Sequence, residues 1–155
     1  MSEVNRNNTC NNTCSVNMNN KISLQMDSHS QNESFARTVV AAFITPLDPS
    51  VDVMRDIKTA VSEAVTNAII HGYGKEKGQI NLELEIEGEE LKITIADSGA
   101  GIENIAQAME PLYTSLPQLE RAGIGFTVME GFMDSVKVKS SPGMGTVVEM
   151  VKKIL

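Results

Sequence analysis

Residues 61–72 read VSEAVTNAIIHG and combine two helical stripes. The apolar stripe consists of Val61, Ala64, Val65 and Ala68, which recur at the spacing of one buried helix face. The polar stripe consists of Glu63, Asn67 and His71, each four residues apart. A carboxylate one turn from an amide suits phosphoryl transfer, because the carboxylate can accept a hydroxyl proton and the amide oxygen can bind Mg²⁺. Taken alone, such a polar stripe is more often a solvated helix face.

A second motif, DSGAG, occupies residues 97–101 directly after an alternating apolar stretch that predicts a strand. A buried Asp97 at a strand end can accept the exocyclic amine of adenine in a charge-assisted hydrogen bond. Gly99 and Gly101 permit unusual backbone angles and close approach to a ligand. An ordinary Asp-Gly turn would have the same composition.

Two more glycine motifs follow in the C-terminal third. RAGIGF at residues 121–126 precedes a predicted helix, where exposed N–H groups bind phosphate and Arg121 can contact the terminal phosphoryl group. GMGT at residues 143–146 opens the last predicted strand, where Thr146 can reach a base. The first motif is equally compatible with a plain helix start, and the second is certainly also a hairpin turn.

The elements around these motifs follow from apolar periodicity and end signals. Ile22, Leu24 and Met26 alternate and predict a strand. Ser30 and Glu33 form a predicted capping box, and the helix that it opens is expected to end near Pro46. The buried stripe predicted for this helix consists of Phe35, Val39, Val40, Phe43 and Ile44.

A second helix is predicted to begin at Asp48-Pro49 and to be capped by Gly72. Two strands then alternate on either side of a turn at Gly88, and a long mobile segment is predicted from Asp97 to Gly123. A helix over residues 126–132 and a closing hairpin complete the chain. This order predicts an α+β fold, a two-layer sandwich with a mixed, mostly antiparallel sheet and helices on one face.

Composition bounds the rest. The 155 residues suit one domain, and residues 1–20, which contain eight Asn, predict a disordered extension before a domain at residues 21–155. A net charge of −7 without a basic cluster argues against nucleic-acid binding. Neither a membrane span nor a leader is predicted, so the protein is expected to be cytoplasmic with Cys10 and Cys14 as free thiols.

The four motifs together resemble the signature of the Bergerat-fold ATPases, which include gyrase and the histidine kinases. Their order is Glu-x₃-Asn, Asp-x-Gly-x-Gly, Gly-x-Gly and Gly-x-Gly-Thr, whereas a Walker A loop and a kinase His-Arg-Asp loop are absent. From about Ser30 to Val151 the sequence closely resembles the anti-sigma F factors of sporulation. The stretches that carry this resemblance are SQNESFAR (30–37), residues 62–73, LER (119–121), GFT (125–127) and SSP (140–142).

The resemblance implies a homodimer that holds sigma F away from RNA polymerase in its ATP-bound state. It also implies a serine kinase that uses Mg²⁺ and ATP to phosphorylate an anti-anti-sigma factor. By motif, Glu63 would be the catalytic base, Asn67 the Mg²⁺ ligand and Asp97 the adenine-binding residue, and Arg121 would contact the γ-phosphate. The residues implied in backbone approach to the nucleotide are Gly99, Gly101, Gly123 and Gly125. Arg37 would belong to the protein-docking surface.

Two departures and several alternatives accompany this interpretation. Thr127 stands where the superfamily has a third glycine in the nucleotide-covering segment that contains Gly123 and Gly125. The Asn-rich extension has no counterpart in the anti-sigma F factor pattern. A general-stress anti-sigma kinase shares the ATP motifs and would differ in its cognate sigma factor. A sensor histidine kinase would need a phosphoacceptor, for which only His29 and His71 are available. A nucleotide-gated sigma-binding module without kinase activity would not require Glu63.

Overall fold

A computed structural model describes residues 18–110 and 125–155 of the chain. Five strands form one sheet in the order β1-β2-β3-β5-β4. Their bounds are Met18–Asp27 for β1, Gln79–Gly88 for β2, Glu90–Asp97 for β3, Ser135–Ser140 for β4 and Thr146–Lys153 for β5. The helices are α1 at Gln31–Ile44, α2 at Val51–Asn67, α3 at Ile105–Ala108 and α4 at Gly125–Phe132.

The core lies between one face of the sheet and the helices. Cross-strand neighbours Leu82, Ile95 and Val148 form one buried row of the sheet, and Leu84, Ile93 and Met150 form the next. The α2 residues that are packed against this face are Ile57, Ala60, Val61, Ala64 and Val65. Helix α2 contacts both α1 and α4, so it is the central helix of the layer. The α+β prediction is confirmed, with an apolar face that alternation along the strands produces.

The sheet differs from its prediction in two details. Every strand pairing within the described ranges is antiparallel, where a mixed sheet was expected. Strand β1 begins at Met18, so residues 18–20 belong to the sheet rather than to the predicted extension over residues 1–20. Residues 1–17 lie outside the described part of the chain, and their disorder stays a prediction.

The predicted capping box at the start of α1 is wrong. Ser30 has helical backbone angles, and its side chain caps nothing. Glu33 instead reaches α2, where its carboxylate accepts the Ser62 hydroxyl, and pairs with Arg37 at 2.9 Å between Oε1 and Nε. Phe35, expected in the buried stripe, is 50% exposed because α1 packs through Ala36, Val40, Phe43 and Ile44.

Helix α2 begins and ends differently from its prediction. Ser50 is the N-cap, and its hydroxyl accepts from Val53 N at 3.3 Å. Asp48, the predicted cap, instead ends the short 3₁₀ turn Thr45–Leu47 with a left-handed φ of 50°. After Asn67 the chain continues as a π-helical turn, Ala68–Tyr73, which Gly74 rather than Gly72 terminates with φ at 60°.

Across the two described ranges, no helix has both the length and the apolar content that crossing a membrane would require.

Candidate nucleotide site

A cavity of about 990 Å³ lies between the sheet and the helical layer. Its floor includes the apolar side chains of Ile95 and Val148 on adjacent strands. Polar groups in its lining include Asp97 at the end of β3 and Asn67 at the end of α2. An apolar cleft with a few convergent polar groups is the ordinary form of a small-molecule site, and this volume suits a nucleotide.

Asp97 is the buried charged residue of the described core, with 9% of its surface exposed. Burial raises the pKa of its carboxyl group above 3.8, while the backbone N–H groups of Gly99 and Thr146 oppose that rise. Gly99 N donates to Asp97 Oδ1 at 2.9 Å. Since a buried carboxylate is costly unless it is hydrogen-bonded, its retention at the rim of a cavity favours a binding role.

The glycines of the DSGAG motif approach protein backbone very closely. A Cβ at Gly99 would lie 2.0 Å from Gly72 O, and Ala100 N donates to that same oxygen at 2.7 Å. A Cβ at Gly101, where φ is 73°, would lie 2.0 Å from Ser141 O. These glycines are therefore required to seat the loop against the π-helical turn and the β4–β5 hairpin. Their predicted approach to the nucleotide stays a prediction.

Glu63, Asn67 and Gly125 come together where α2 contacts α4. A Cβ at Gly125 would lie 3.2 Å from both the oxygen and the nitrogen of the Asn67 amide, and 3.3 Å from Glu63 Oε2. Helix α4 therefore begins directly beside the two polar side chains of α2. Asn67 Oδ1 is buried and has no hydrogen-bond partner among the described residues.

That orphaned amide oxygen fits a Mg²⁺ ligand, because Mg²⁺ prefers oxygen and a buried acceptor without a partner costs free energy. Within residues 18–110 and 125–155, no group of three His, Cys, Asp or Glu side chains could hold a metal ion. The Mg²⁺ ion would accordingly depend on nucleotide phosphates and water for its remaining ligands, as is usual for this cation.

The structure brings five of the ten predicted site residues together at the cavity. The predicted residues that line the cavity are Asn67, Asp97, Gly101, Gly125 and Thr146. Glu63 borders it through Gly125, whereas Arg37 lies on α1 and is not part of the lining. Arg121 and Gly123 lie outside the described residues.

Three contributors were missed by reasoning from the sequence. Ser140 lines the cavity and accepts from Ile102 N at 2.8 Å. Gly72 carries the carbonyl that holds the DSGAG loop. The Tyr73 hydroxyl accepts from Ser98 N at 2.9 Å and donates to Gln79 O at 2.5 Å. The contacts of these three residues join positions that are 6 to 38 residues apart, so no local sequence pattern predicts them.

Comparison with solved structures supports the architecture. The chain superposes on the RsbU and RsbW domains of a Mycobacterium tuberculosis protein with a TM-score of 0.64 at 17% identity, covering 87% of this chain and 32% of that one. It superposes on the catalytic domain of the histidine kinase ThkA with a TM-score of 0.54 at 14% identity, covering 86% and 96% of the two chains. At these identities the likeness concerns the fold.

Sequence comparison identifies relatives that are much more similar to this chain. Residues 28–152 match the family described as the histidine kinase-like ATPase domain. The chain is 58% identical to an anti-sigma F factor of Clostridium beijerinckii over 135 residues, which cover 86% of this chain and 94% of the relative. It is 60% identical to an anti-sigma F factor of Clostridium botulinum over the same shares. The chain belongs to the anti-sigma F factor family and carries a histidine kinase-like ATPase domain.

Proposed function

We propose that this protein is an anti-sigma factor that binds sigma F in its ATP-bound state and is also a protein serine kinase. Its kinase substrate is a serine of the anti-anti-sigma factor that antagonises it, with Mg-ATP as phosphoryl donor. The names of its close relatives support the anti-sigma role, and the histidine kinase-like domain supports ATP binding. The finer steps depend on the side chains of the cavity.

The observation that carries the proposal is the environment of Asn67. Its amide oxygen is buried without a partner among the described residues, beside Glu63 and the first residue of α4. Bound there with the nucleotide, Mg²⁺ would supply charge neutralisation at the phosphates. A carboxylate, an oxygen ligand and a helix N-terminus in one place are the parts that phosphoryl transfer requires.

Each polar group then has a separate task. Glu63 accepts the proton of the substrate serine hydroxyl as that oxygen attacks the γ-phosphorus, and the bond from this phosphorus to the bridging oxygen breaks so that ADP leaves. Asn67 would bind the metal, and the N–H groups of Gly123 and of Gly125, the first residue of α4, would approach the phosphates. Asp97 accepts the adenine amine, and Arg121 stabilises charge on the transferred group.

The partner side of the proposal rests on α1 and on composition. Arg37 is held by Glu33 at 2.9 Å with 39% of its side chain exposed, which leaves a cation available to an acidic partner surface. The protein acts as a homodimer in the cytoplasm, with no nucleic-acid or membrane partner. Its net charge of −7 agrees with a protein rather than a nucleic acid as the ligand.

A reconstituted reaction tests the proposal. The protein is mixed with sigma F and the anti-anti-sigma factor in the presence of Mg²⁺ and either ATP or ADP. We expect sigma F to be retained with ATP more than with ADP, and one serine of the anti-anti-sigma factor to be phosphorylated. Retention of sigma F without phosphorylation would leave a nucleotide-gated binding module. Preference for a general-stress sigma factor would assign the protein to the general-stress anti-sigma kinases.

A further inference from the structure

A row of three polar side chains crosses the sheet where it borders the cavity. Thr146 on β5 is the register partner of Asp97 on β3, and also of Ser140 on β4. All three residues line the cavity. Thr146 is therefore flanked on one side by a carboxyl group and on the other by a hydroxyl group.

The hydrogen bonds of Ser140 have a fixed direction. Ile102 N lies 2.8 Å from Ser140 Oγ and can only donate to it. Gly145 O lies 2.7 Å from the same oxygen and can only accept. Because a serine hydroxyl has a single hydrogen, that hydrogen is used on Gly145 O.

This assignment decides the hydroxyl of Thr146. Its Oγ1 lies 2.9 Å from Ser140 Oγ, and either atom alone could be the donor. With the Ser140 hydrogen already used, Thr146 must donate in that contact. The Thr146 oxygen then has only lone pairs for any other group, and it faces a ligand as an acceptor.

We propose that Ser140 is a positioning residue that keeps the Thr146 hydroxyl an acceptor, so that the site selects purine nucleotides with a 6-amino group over those with a 6-keto group. The inference rests on the proposed nucleotide function of this cavity. An amine can donate to both Asp97 and Thr146, whereas a keto oxygen would meet acceptors on both sides. Selectivity then arises because a 6-keto base would leave the acceptors of Asp97 and Thr146 without a donor. Leaving buried polar groups unpaired weakens binding strongly.

Substitution of Ser140 separates this role from a structural one. We expect Ser140→Ala to free the Thr146 hydroxyl, which can then donate to a keto oxygen. The preference for ATP over inosine triphosphate, measured by calorimetric titration of the full chain with Mg²⁺, should fall about three- to tenfold, the worth of one hydrogen bond. Ser140→Thr keeps the hydroxyl and should restore the wild-type preference.

Thr146→Val provides a second, independent measurement if Ser140→Ala folds poorly. Loss of the acceptor should weaken ATP more than inosine triphosphate, and adding Ser140→Ala to it should change the preference no further. An unchanged preference in folded Ser140→Ala, or equal weakening of both nucleotides by Thr146→Val, would overturn the inference. Absence of serine phosphorylation with this selectivity intact would count against the kinase proposal alone. Failure of the wild-type protein to bind either nucleotide would overturn both.

Discussion

Asn67 and Gly125 face each other where α2 contacts α4, and a Cβ on Gly125 would lie 3.2 Å from both polar atoms of the Asn67 amide. Glu63 Oε2 would be 3.3 Å from the same added carbon. Because Gly125 has no side chain, the Asn67 amide and the Glu63 carboxylate can occupy the space beside it. Neighbours at such distances must move by a few tenths of an ångström to admit a methyl group, which misplaces them for chemistry.

Gly125→Ala should therefore fold but bind Mg-ATP several-fold more weakly than the wild type. Gly131→Ala is the matched control, since the same helix offers open space around a Cβ at that residue. The control should keep ATP affinity and gain about 0.5–1 kcal/mol of stability from helix propensity. Calorimetry and urea unfolding of both variants make the comparison. Equal ATP affinity in the two variants would show that the space beside Asn67 is not part of the site.

Asp97→Asn should reduce ATP affinity by about 1.5–3 kcal/mol, because the adenine amine loses a charged acceptor. The same substitution should increase the stability of the fold at pH values where Asp97 is ionised. Burial raises the pKa of Asp97, so the folded state binds this proton more tightly than the unfolded chain and the wild type loses stability as pH rises above 3.8. The neutral amide has no such dependence.

Urea unfolding of both proteins from below pH 3.8 to neutrality tests the second part. The free energy of unfolding of Asp97→Asn, relative to the wild type, should increase with pH. A relative stability that decreases with pH would mean that the backbone N–H groups of Gly99 and Thr146 outweigh the burial of the carboxylate.

Glu63→Gln separates chemistry from binding. The amide preserves size and hydrogen bonding but lacks a basic oxygen, so serine phosphorylation should slow by about 10²–10⁴. Binding of ATP and sigma F should stay near the wild-type level, and transcription by sigma F should be repressed persistently. Glu130→Gln, at an exposed position of α4, is the control and should leave the rate unchanged. Normal turnover of Glu63→Gln would leave only a nucleotide-gated binding role.

Arg37→Ala tests the docking surface on α1. Its ion pair with Glu33 is a partly buried (i, i+4) contact within α1, and helix pairs at this spacing contribute only about 0.3–0.5 kcal/mol to stability. Binding of sigma F or the anti-anti-sigma factor should nevertheless weaken markedly. Arg55→Ala is the control, because Arg55 is 64% exposed on α2 and also pairs with an acidic residue of its own helix, Asp52 at (i, i+3). The affinities of Arg37→Ala and Arg55→Ala for each partner protein can be measured by biolayer interferometry. Similar affinities for the two variants would show that Arg37 is not part of the interface.

Deletion of residues 1–17 should leave the melting temperature within a few degrees of the full chain and preserve ATP affinity. Deletion of residues 1–20 removes the first three residues of β1, including Met18 opposite Gly88. It also removes the Asn19 side chain, which accepts from Gly88 N at 3.3 Å. The longer deletion should therefore lower the melting temperature further. A large loss from the shorter deletion would show that residues 1–17 pack on the domain.

The elements that the sequence predicts correctly are those in which local pattern and tertiary packing agree. Alternation identifies β2 and β3, and the turn between them has Gly88 at a φ of 62°. Glu33 is the counterexample. Its spacing from Ser30 matches a capping box, yet the carboxylate pairs with Arg37 one turn along α1 and accepts a hydroxyl of α2, a contact that becomes available only after the two helices pack.

The site divides in the same way. Asn67 and Asp97 could be identified because each belongs to a motif with a chemical reason for its spacing. Ser140 could not, since its role arises from Ile102, 38 residues earlier, and from its cross-strand neighbour Thr146. The π-helical turn after Asn67 is likewise unmarked, and its contact with the loop at Gly99 joins residues far apart in sequence.

Strand β5 is the last of the five described strands but lies inside the sheet, between β3 and β4. During synthesis on the ribosome, β3 consequently presents an unpaired edge until residues 146–153 have emerged. Exposed edges of this kind pair readily with other chains, so the nascent protein is vulnerable to aggregation throughout that interval. Thr146 belongs to the same strand, so a nascent chain lacks this side of the candidate nucleotide pocket until residues 146–153 have been synthesised.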